Sequence, residues 1–230
     1  MNASSPSSKN TRWLWAIVLI SLIANGYQAF RLSRYHQADL VRKAKRIDRV
    51  GSRAEFYKHL PMDTSDIVLF GDSHFEQFPA SELLGMPTIR NRGLSGQSTS
   101  DLLLRVDDVL RGAPRKVVLC VGINDINLGR SPAQYARNMA ELLDRLLSGL
   151  PIDRILVLAI PPNGNAGLQK KVIIFNEGLA ELCAKRNLTL LDPGAVLGQG
   201  GALKAAYTFD GLHLNAEGYL RFAAWLRPHL

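Results

Sequence analysis

Cysteine is scarce in this chain, with two among 230 residues. Cys120 lies in an apolar run over residues 117–121, and Cys183 lies on the apolar side of a helix-like segment. Their spacing indicates neither a disulfide framework nor a metal site. We expect both to be buried free thiols that pack as small hydrophobic side chains.

Residues 61–230 lack the excess of Lys and Arg that is typical of a nucleic-acid-binding domain. The formal net charge is +8, but residues 1–60 hold 11 Lys and Arg against 3 Asp and Glu, whereas residues 61–230 hold 17 of each. The positive charge therefore belongs to the N-terminal segment. We predict no nucleic-acid-binding face on the rest of the chain.

Long hydrophobic runs are absent except near the N-terminus. Residues 1–12 are a polar tail that we expect to be disordered, and apolar residues then run from Trp13 to Ala24 and more sparsely to Phe30. Residues 13–30 are long enough for a transmembrane helix, which takes roughly 17–25 residues. A signal peptide cleaved near Ala24 is the alternative. We favour an uncleaved transmembrane signal anchor.

The basic residues after this run, within residues 31–60, are interpreted as a stalk that precedes a folded domain of residues 61–230. Positive charges in this place favour a cytoplasmic domain by the positive-inside rule. Signal anchors nevertheless export long domains despite such charges. We therefore predict a single-pass membrane protein of the bacterial inner-membrane type, with its domain on the outer, periplasmic face. The stalk either lies against anionic lipid headgroups or is a solvated linker.

From Ser65 onward, short apolar runs alternate with amphipathic segments. Strands are predicted at residues 67–70, 88–91, 117–121, 155–160 and 188–191. Helices are predicted after capping residues Ser98, Ser131 and Asn215, and over residues 169–186. This alternation predicts an α/β fold with a parallel sheet covered on both faces. The Gly-rich stretch 193–209 is predicted to be a long loop that borders a site.

Four short motifs lie where an open parallel sheet presents its sites, beyond the carboxyl ends of the strands. They are Gly71-Asp72-Ser73, Gly93, Gly122-Ile123-Asn124-Asp125 and Asp210-Gly211-Leu212-His213. Each alone is also typical of an ordinary turn or helix cap. Together they supply a hydroxyl nucleophile, an imidazole base, a carboxylate and hydrogen-bond donors, which are the groups that acyl transfer needs.

These motifs also carry a family resemblance. The stretches Phe70-Gly-Asp-Ser73, Arg92-Gly-Leu-Ser-Gly96, Val121-Gly-Ile-Asn-Asp125 and Asp210-Gly-Leu-His-Leu-Asn215 resemble, in order, the four sequence blocks of the SGNH (GDSL-type) hydrolase superfamily. The likeness covers most of residues 65–225 and is greatest to the acetylhydrolase and acyl-esterase branch. It implies a flavodoxin-like three-layer α/β/α sandwich, and it implies no metal or cofactor.

The resemblance assigns a role to each site residue. It implies that Ser73 is the catalytic nucleophile, that His213 is the general base and that Asp210 orients the imidazole. The oxyanion hole is implied to consist of the backbone N–H groups of Ser73 and Gly93 and the side-chain amide of Asn124.

His74 departs from the family pattern, because the eponymous motif has leucine after the nucleophile. We expect His74 to pack at the start of the helix that follows Ser73. The alternative is that it lines the pocket or contacts a polar substrate.

The sequence therefore predicts a membrane-anchored serine esterase that acts through an acyl-enzyme on small, acetyl-like esters of a carbohydrate or lipid. The expected partners are a small-molecule ester, glycan or lysolipid substrate and, through residues 13–30, the membrane. An acyltransferase on the same fold and a non-catalytic binding module stay open as alternatives. A phosphate-binding protein is disfavoured, because the turn before Ser73 is short and Asp72 would repel a phosphate.

Overall fold

The computed structural model describes residues 8–230, so residues 1–7 of the predicted disordered tail lie outside the described residues. The chain divides into two compact units, Met1–Ser52 and Arg53–Leu230. One long helix, α1 (Ser8–His59), supplies the described residues of the first unit, and its last turns belong to the second. The predicted domain of residues 61–230 lies inside the second unit.

Large apolar side chains of α1 are exposed over the stretch that was predicted to cross a membrane. They are Trp13, Trp15, Val18, Leu19, Ile20, Leu22, Ile23, Tyr27 and Phe30. Among the residues that the structure describes, however, no helix is both long enough and apolar enough to span a bilayer. A helix over residues 13–30 is therefore observed, whereas a transmembrane span is not.

The second unit is built on a five-stranded sheet in the order β2–β1–β3–β4–β5, and every neighbouring pair is parallel. The strands are β1 (Ile67–Gly71), β2 (Ile89–Asn91), β3 (Lys116–Cys120), β4 (Ile155–Leu158) and β5 (Thr189–Leu191). The predicted parallel α/β sheet is confirmed, with strand ends that differ by a few residues. The central strands read as continuous apolar runs because both of their faces are buried.

Helices cover the sheet on both sides, which gives three layers. Val68 and Phe70 of β1 pack in one core cluster, whereas Ile67 and Leu69 pack in the other. The first cluster includes residues of α4 (Thr99–Leu103), α5 (Val106–Leu110), α6 (Ile123–Asn127), α7 (Pro132–Gly149) and α8 (Ala166–Lys185). The second includes residues of α2 (Ser73–Glu76), α3 (Ala80–Leu84), α9 (Gly194–Leu197) and α10 (Ala216–Leu226).

Local signals explain where several helices begin. Ser98 and Ser131 both form capping boxes, with Asp101 and Gln134 respectively, and Asn215 accepts a hydrogen bond from the N–H of Gly218 at the start of α10. Side-chain caps of this kind satisfy the free N–H groups of a first turn. The predicted helix starts are therefore confirmed for α4, α7 and α10.

The stretch 193–209 was predicted as a long loop, and here the prediction is wrong. The stretch contains α9, the small antiparallel hairpin β6 (Gly198–Gln199) and β7 (Ala202–Leu203), and a 3₁₀ turn over Ala205–Tyr207. Each element is too short to show a hydrophobic period in the sequence. Leu197, Leu203 and Tyr207 nevertheless pack into the core, which explains why the stretch is ordered.

Both cysteines are buried free thiols, as predicted. Burial raises the pKa of Cys183 to about 11 and also raises the pKa of Cys120 well above its usual value. Both sulfurs therefore stay protonated near neutral pH, which makes them weak nucleophiles.

Candidate active site

Ser73 lies at the turn where β1 ends and α2 begins. Asp72 caps this short helix by accepting a hydrogen bond from the N–H of His74 at 3.0 Å. A Cβ atom on Gly71 would come within 2.1 Å of the Cys120 carbonyl oxygen, so only glycine fits where β1 meets β3 at this turn. This close packing of the backbone places Ser73 beyond the carboxyl end of a central strand.

Asp210 and His213 lie in one short segment before α10, residues 208–213, which we call the acid–base loop. The Asp210 carboxylate accepts hydrogen bonds from the backbone N–H groups of Leu212 and His213 at 2.9 and 2.7 Å. Its second oxygen lies 2.7 Å from Nδ1 of His213, and Nε2 of the same ring lies 3.1 Å from Oγ of Ser73. The structure thus brings together the three residues that the sequence analysis selected.

The charge on Asp210 is stabilised by these contacts. Burial raises the pKa of Asp210, but hydrogen bonds from the His213 ring and from the backbone N–H groups of His213 and Leu212 outweigh burial and lower the pKa to about 2. The carboxylate is therefore ionised at any physiological pH. An ionised carboxylate at this position fixes the imidazole with its proton on Nδ1 and leaves Nε2 free to accept the hydroxyl proton.

Two further residues shape the acid–base loop, and the sequence analysis selected neither. Thr208 accepts a hydrogen bond from the N–H of Gly211 at 2.9 Å and donates one to the His213 carbonyl at 2.7 Å. The exposed ring of Phe209 stacks on the His213 ring with the ring centres 5.9 Å apart. A threonine and a phenylalanine beside a catalytic motif give no sequence signal of such contacts.

Asn124 lies in the first turn of α6, directly after β3. Its side-chain Nδ2 donates to the Gln97 carbonyl at 2.9 Å, which leaves the second hydrogen of the amide for another acceptor. The neighbouring Asp125 is fully buried and accepts hydrogen bonds from the N–H and hydroxyl of Thr99 and from Arg130. Asp125 therefore ties α6 to α4 and holds Asn124 in place.

The predicted donor role of Gly93 needs correction. The N–H of Gly93 already donates to the Asn91 side chain at 2.9 Å, so it is not free to bind an oxyanion. Gly93 has a steric role instead, because a Cβ atom there would approach the backbone nitrogen of Glu76 to 2.4 Å and the Asp72 carbonyl oxygen to 2.8 Å. The missing side chain lets the segment after β2 pack against the turn that carries Ser73.

Gly96 offers a free N–H in the same segment, residues 93–97, which we call the oxyanion segment. Among the described residues, the N–H groups of Ser73 and Gly96 have no hydrogen-bond partner. Gly96 has a φ of 80°, a conformation that favours glycine. Its neighbours Ser95 and Gln97 bond to Glu76 and to Asn124, which brings Gly96 between α2 and α6.

His74 is buried beneath the site, consistent with the expectation that it packs at the helix start. Its Nδ1 lies 3.1 Å from an Asp72 oxygen, and its ring centre is 6.1 Å from that of His213. Burial lowers the pKa of His74, whereas the hydrogen bond and charge of Asp72 raise it, and the net pKa lies above the usual value of a histidine. Nε2 of His74 is buried without a hydrogen-bond partner.

These groups can carry out acyl transfer without a metal. A hydroxyl held against an imidazole, which is held against an ionised carboxylate, is the arrangement that generates an alkoxide-like nucleophile. Among the described residues, no group of three or more His, Cys, Asp or Glu side chains is arranged to hold a metal ion.

A parallel sheet that presents a Ser–His–Asp triad at the carboxyl ends of its strands defines the class of serine hydrolases with an α/β fold. Within that class, the chain belongs to the GDSL-like Lipase/Acylhydrolase family, whose sequence model matches residues 70–221. The matched region is accordingly that of a serine ester hydrolase. The resemblance to the SGNH superfamily is confirmed.

Solved structures of related proteins share the fold. A Streptococcus pneumoniae protein named for platelet activating factor is 27% identical, with a TM-score of 0.73 over 81% of this chain and 93% of the other. A GDSL-like lipase from Bacteroides thetaiotaomicron is 19% identical, with a TM-score of 0.68 over 78% and 95% of the two chains. An acetyl xylan esterase from Geobacillus stearothermophilus is 18% identical, with a TM-score of 0.60 over 73% and 96%.

A curated relative is much longer than this chain. An N-acylneuraminate cytidylyltransferase from Streptococcus agalactiae serotype III (strain NEM316) is 23% identical over 167 residues, which are 71% of this chain and 38% of that protein. The chain thus spans well under half the length of this relative.

Proposed function

We propose that the protein hydrolyses small, acetyl-like esters of a carbohydrate or lipid through an acyl-enzyme on Ser73. The observation that carries this proposal is the unbroken series of contacts from Asp210 through His213 to the Ser73 hydroxyl, at 2.7 and 3.1 Å. No other polar group of the described residues competes for Nε2 of His213. The imidazole is therefore aligned for proton transfer from the nucleophile.

The reaction follows from these contacts. Nε2 of His213 takes the proton of the Ser73 hydroxyl as Oγ attacks the ester carbonyl, and the protonated imidazole is stabilised by the Asp210 carboxylate. The tetrahedral intermediate collapses when His213 gives its proton to the leaving alcohol. Water, deprotonated by the same imidazole, then attacks the acyl-enzyme and releases the acid and the free serine.

The negative oxygen of the tetrahedral intermediate needs donors that are in place before the reaction. The free N–H groups of Ser73 and Gly96 and the second amide hydrogen of Asn124 are the donors that we assign to it. They come from three different segments, which are the start of α2, the oxyanion segment and the start of α6. Donors preorganised in this way stabilise the transition state more than the ground state.

One relative supports an acylated sugar as the substrate class, because it is named as an acetyl xylan esterase. We therefore rank carbohydrate acetyl esters first and lysolipid esters second.

The test uses the purified full-length chain and a series of p-nitrophenyl esters from acetate to palmitate. We expect the highest kcat/KM with acetate or propionate, and covalent labelling by a fluorophosphonate probe. Ser73→Ala abolishes both signals, whereas the matched control Ser148→Ala, an exposed helical serine, retains them. An inert wild-type chain that takes up no probe would refute an esterase function. Acetylated xylan and lysophosphatidylcholine as second substrates then separate the sugar from the lipid.

We also propose that residues 13–30 attach the chain to a membrane as a single-pass anchor, with the domain on the outer face. Support comes from the exposed apolar side chains of this stretch and from the tryptophans near its start. We expect the chain to stay with membranes in alkaline carbonate and a C-terminal alkaline phosphatase fusion to be active. Extraction by carbonate would contradict an anchor, and an inactive fusion would contradict the outer face.

A further inference from the structure

The last turns of α1 contact the edge of the active site. Two residues of this helix matter here, and both belong to the second unit. Arg53 is exposed and Tyr57 is half-buried. The Arg53 guanidinium lies 2.7 Å from a carboxylate oxygen of Glu76, and the Tyr57 hydroxyl lies 3.5 Å from the Gly93 carbonyl oxygen. The contacts therefore reach both α2, which carries Ser73, and the oxyanion segment.

Glu76 joins these two parts of the site. It lies one helical turn after Ser73 in α2, and its side chain is 8% exposed. Its second carboxylate oxygen accepts hydrogen bonds from the backbone N–H of Ser95 at 2.8 Å and from the Ser95 hydroxyl. One carboxylate thus fixes the residue directly before Gly96 to the helix of the nucleophile.

The negative charge of Glu76 strengthens its hydrogen bonds to Ser95. Hydrogen bonds to an ionised carboxylate are shorter and about twice as strong as bonds between neutral groups. Arg53 supplies the opposite charge, and its guanidinium also donates to Tyr57 at 3.3 Å. Tyr57 in turn lies beneath the buried guanidinium of Arg92, with the cation 4.9 Å from the ring centre. The oxyanion segment is held from its outer side by this cluster.

We propose that Glu76 is a positioning residue, which acts with Arg53 and Tyr57 to hold the Gly96 N–H at a fixed distance from Ser73. This inference rests on the proposed function, because it concerns the geometry of the same oxyanion hole. Catalytic donors must be held within about half an ångström of their working positions. The Glu76 carboxylate contacts no reacting atom, and its effect on rate passes through the segment that it fixes.

A first experiment tests the contacts of Glu76 with Arg53 and Ser95 without any substrate. Hydrogen–deuterium exchange of the full-length chain is followed in the peptide that covers residues 91–98. We expect Glu76→Gln and Arg53→Ala to increase exchange in this peptide by about tenfold and to leave the peptides of β3 and β4 unchanged. Arg53→Lys, which keeps the charge, restores most of the protection. Glu55→Gln is the matched control, because Glu55 pairs with Lys58 on the exposed side of the same helix. Unchanged exchange in Glu76→Gln would overturn the inference.

A second experiment follows catalysis. With p-nitrophenyl acetate, we expect Glu76→Gln to lower kcat about 10- to 100-fold with KM within twofold, since a small misplacement of a catalytic group has an effect of that order. Glu55→Gln leaves both constants unchanged. A loss of rate that appears only together with a fall in the melting temperature indicates a merely structural role and contradicts the inference. If the wild-type chain is inert, the proposed function fails, and the exchange experiment still decides the role of Glu76.

Discussion

The acid–base loop and the oxyanion segment are held in different ways. In the loop, the side chains of Asp210 and Thr208 form hydrogen bonds with residues at most five positions away. In the oxyanion segment, Leu94, Ser95 and Gln97 bond to Gly71, Glu76 and Asn124, which lie 19 to 27 positions away. The side-chain contacts of the loop are therefore local, with one distant backbone bond from the N–H of Gly164 to the Gly211 carbonyl, whereas the oxyanion segment depends on contacts with distant parts of the fold.

This difference predicts distinct effects of mutation in the two halves. Changes in the acid–base loop should remove chemistry and leave the fold intact. Changes around the oxyanion segment should lower the rate by a smaller factor or lower the stability. The following experiments test that division, starting with the largest expected effect.

Asp210→Asn should lower kcat with p-nitrophenyl acetate by about 10⁴-fold, because the amide favours the wrong tautomer of His213. The melting temperature should change little. Asp144→Asn is the matched control, since Asp144 is an exposed carboxylate that Arg186 keeps ionised. A loss of rate below tenfold would contradict the role of Asp210.

The pH dependence of wild-type activity is a second test of the role of Asp210. The pKa of Asp210 is about 2, so this carboxylate stays charged when the pH falls from 7 to 4. Asp210 should therefore add no step of its own to the loss of kcat/KM over that range. A step above pH 4 that is present in the wild type and absent in Asp210→Asn would contradict this prediction.

Asn124→Ala should lower kcat by about 10²–10³-fold, which is the usual loss when one oxyanion donor is removed. KM should stay within about twofold, because the donor acts mainly in the transition state. Asn127→Ala, at the exposed end of the same helix, should have no effect. An equal fall in both variants would indicate damage to α6 and would contradict a donor role for Asn124.

Gly93→Ala should affect stability, since its N–H is already bonded and its missing side chain provides the space for α2. We expect the free energy of unfolding, measured with urea, to fall by about 1–3 kcal/mol. Gly178→Ala makes the same substitution in the interior of α8, where a new Cβ atom meets nothing within 4 Å. There we expect a gain of about 0.5–1 kcal/mol. If Gly93→Ala is fully stable, the steric role is wrong.

His74→Leu should change the pH dependence of stability. The pKa of His74 is raised in the folded chain, so its protonated form stabilises the fold below the ordinary pKa of 6.5, and this contribution is lost as the pH rises through the folded value. The difference in unfolding free energy between the wild type and His74→Leu should therefore be larger at pH 6 than at pH 9. The opposite sign would refute a raised pKa.

The same comparison explains how far the sequence could be interpreted. Asp210 and His213 are three residues apart, so their spacing in the sequence already implies their contact. The strands and the longer helices were predictable for a similar reason, because a hydrophobic period or a cap lies within each segment. The helix α10 was located to the residue from Asn215 and Leu226.

The oxyanion segment was beyond such an interpretation. Gly93 and Gly96 both belong to the motif, and the sequence alone does not reveal that the Asn91 side chain occupies the N–H of Gly93. The contact of Glu76 with Ser95 joins residues 19 positions apart, and that of Arg53 with Glu76 joins residues 23 apart. No periodicity connects such residues, and only packing brings them together.

The distance along the chain between Ser73 and His213 affects when the active site is assembled during synthesis and folding. The two residues are separated by 140 positions, and the base is synthesised after the nucleophile. Contacts between distant residues form late in folding, because a large loop must first be closed. Domains emerge from the ribosome with their N-terminal parts first. A nascent chain therefore exposes its serine long before it has a base, and the triad is assembled only when the acid–base loop docks.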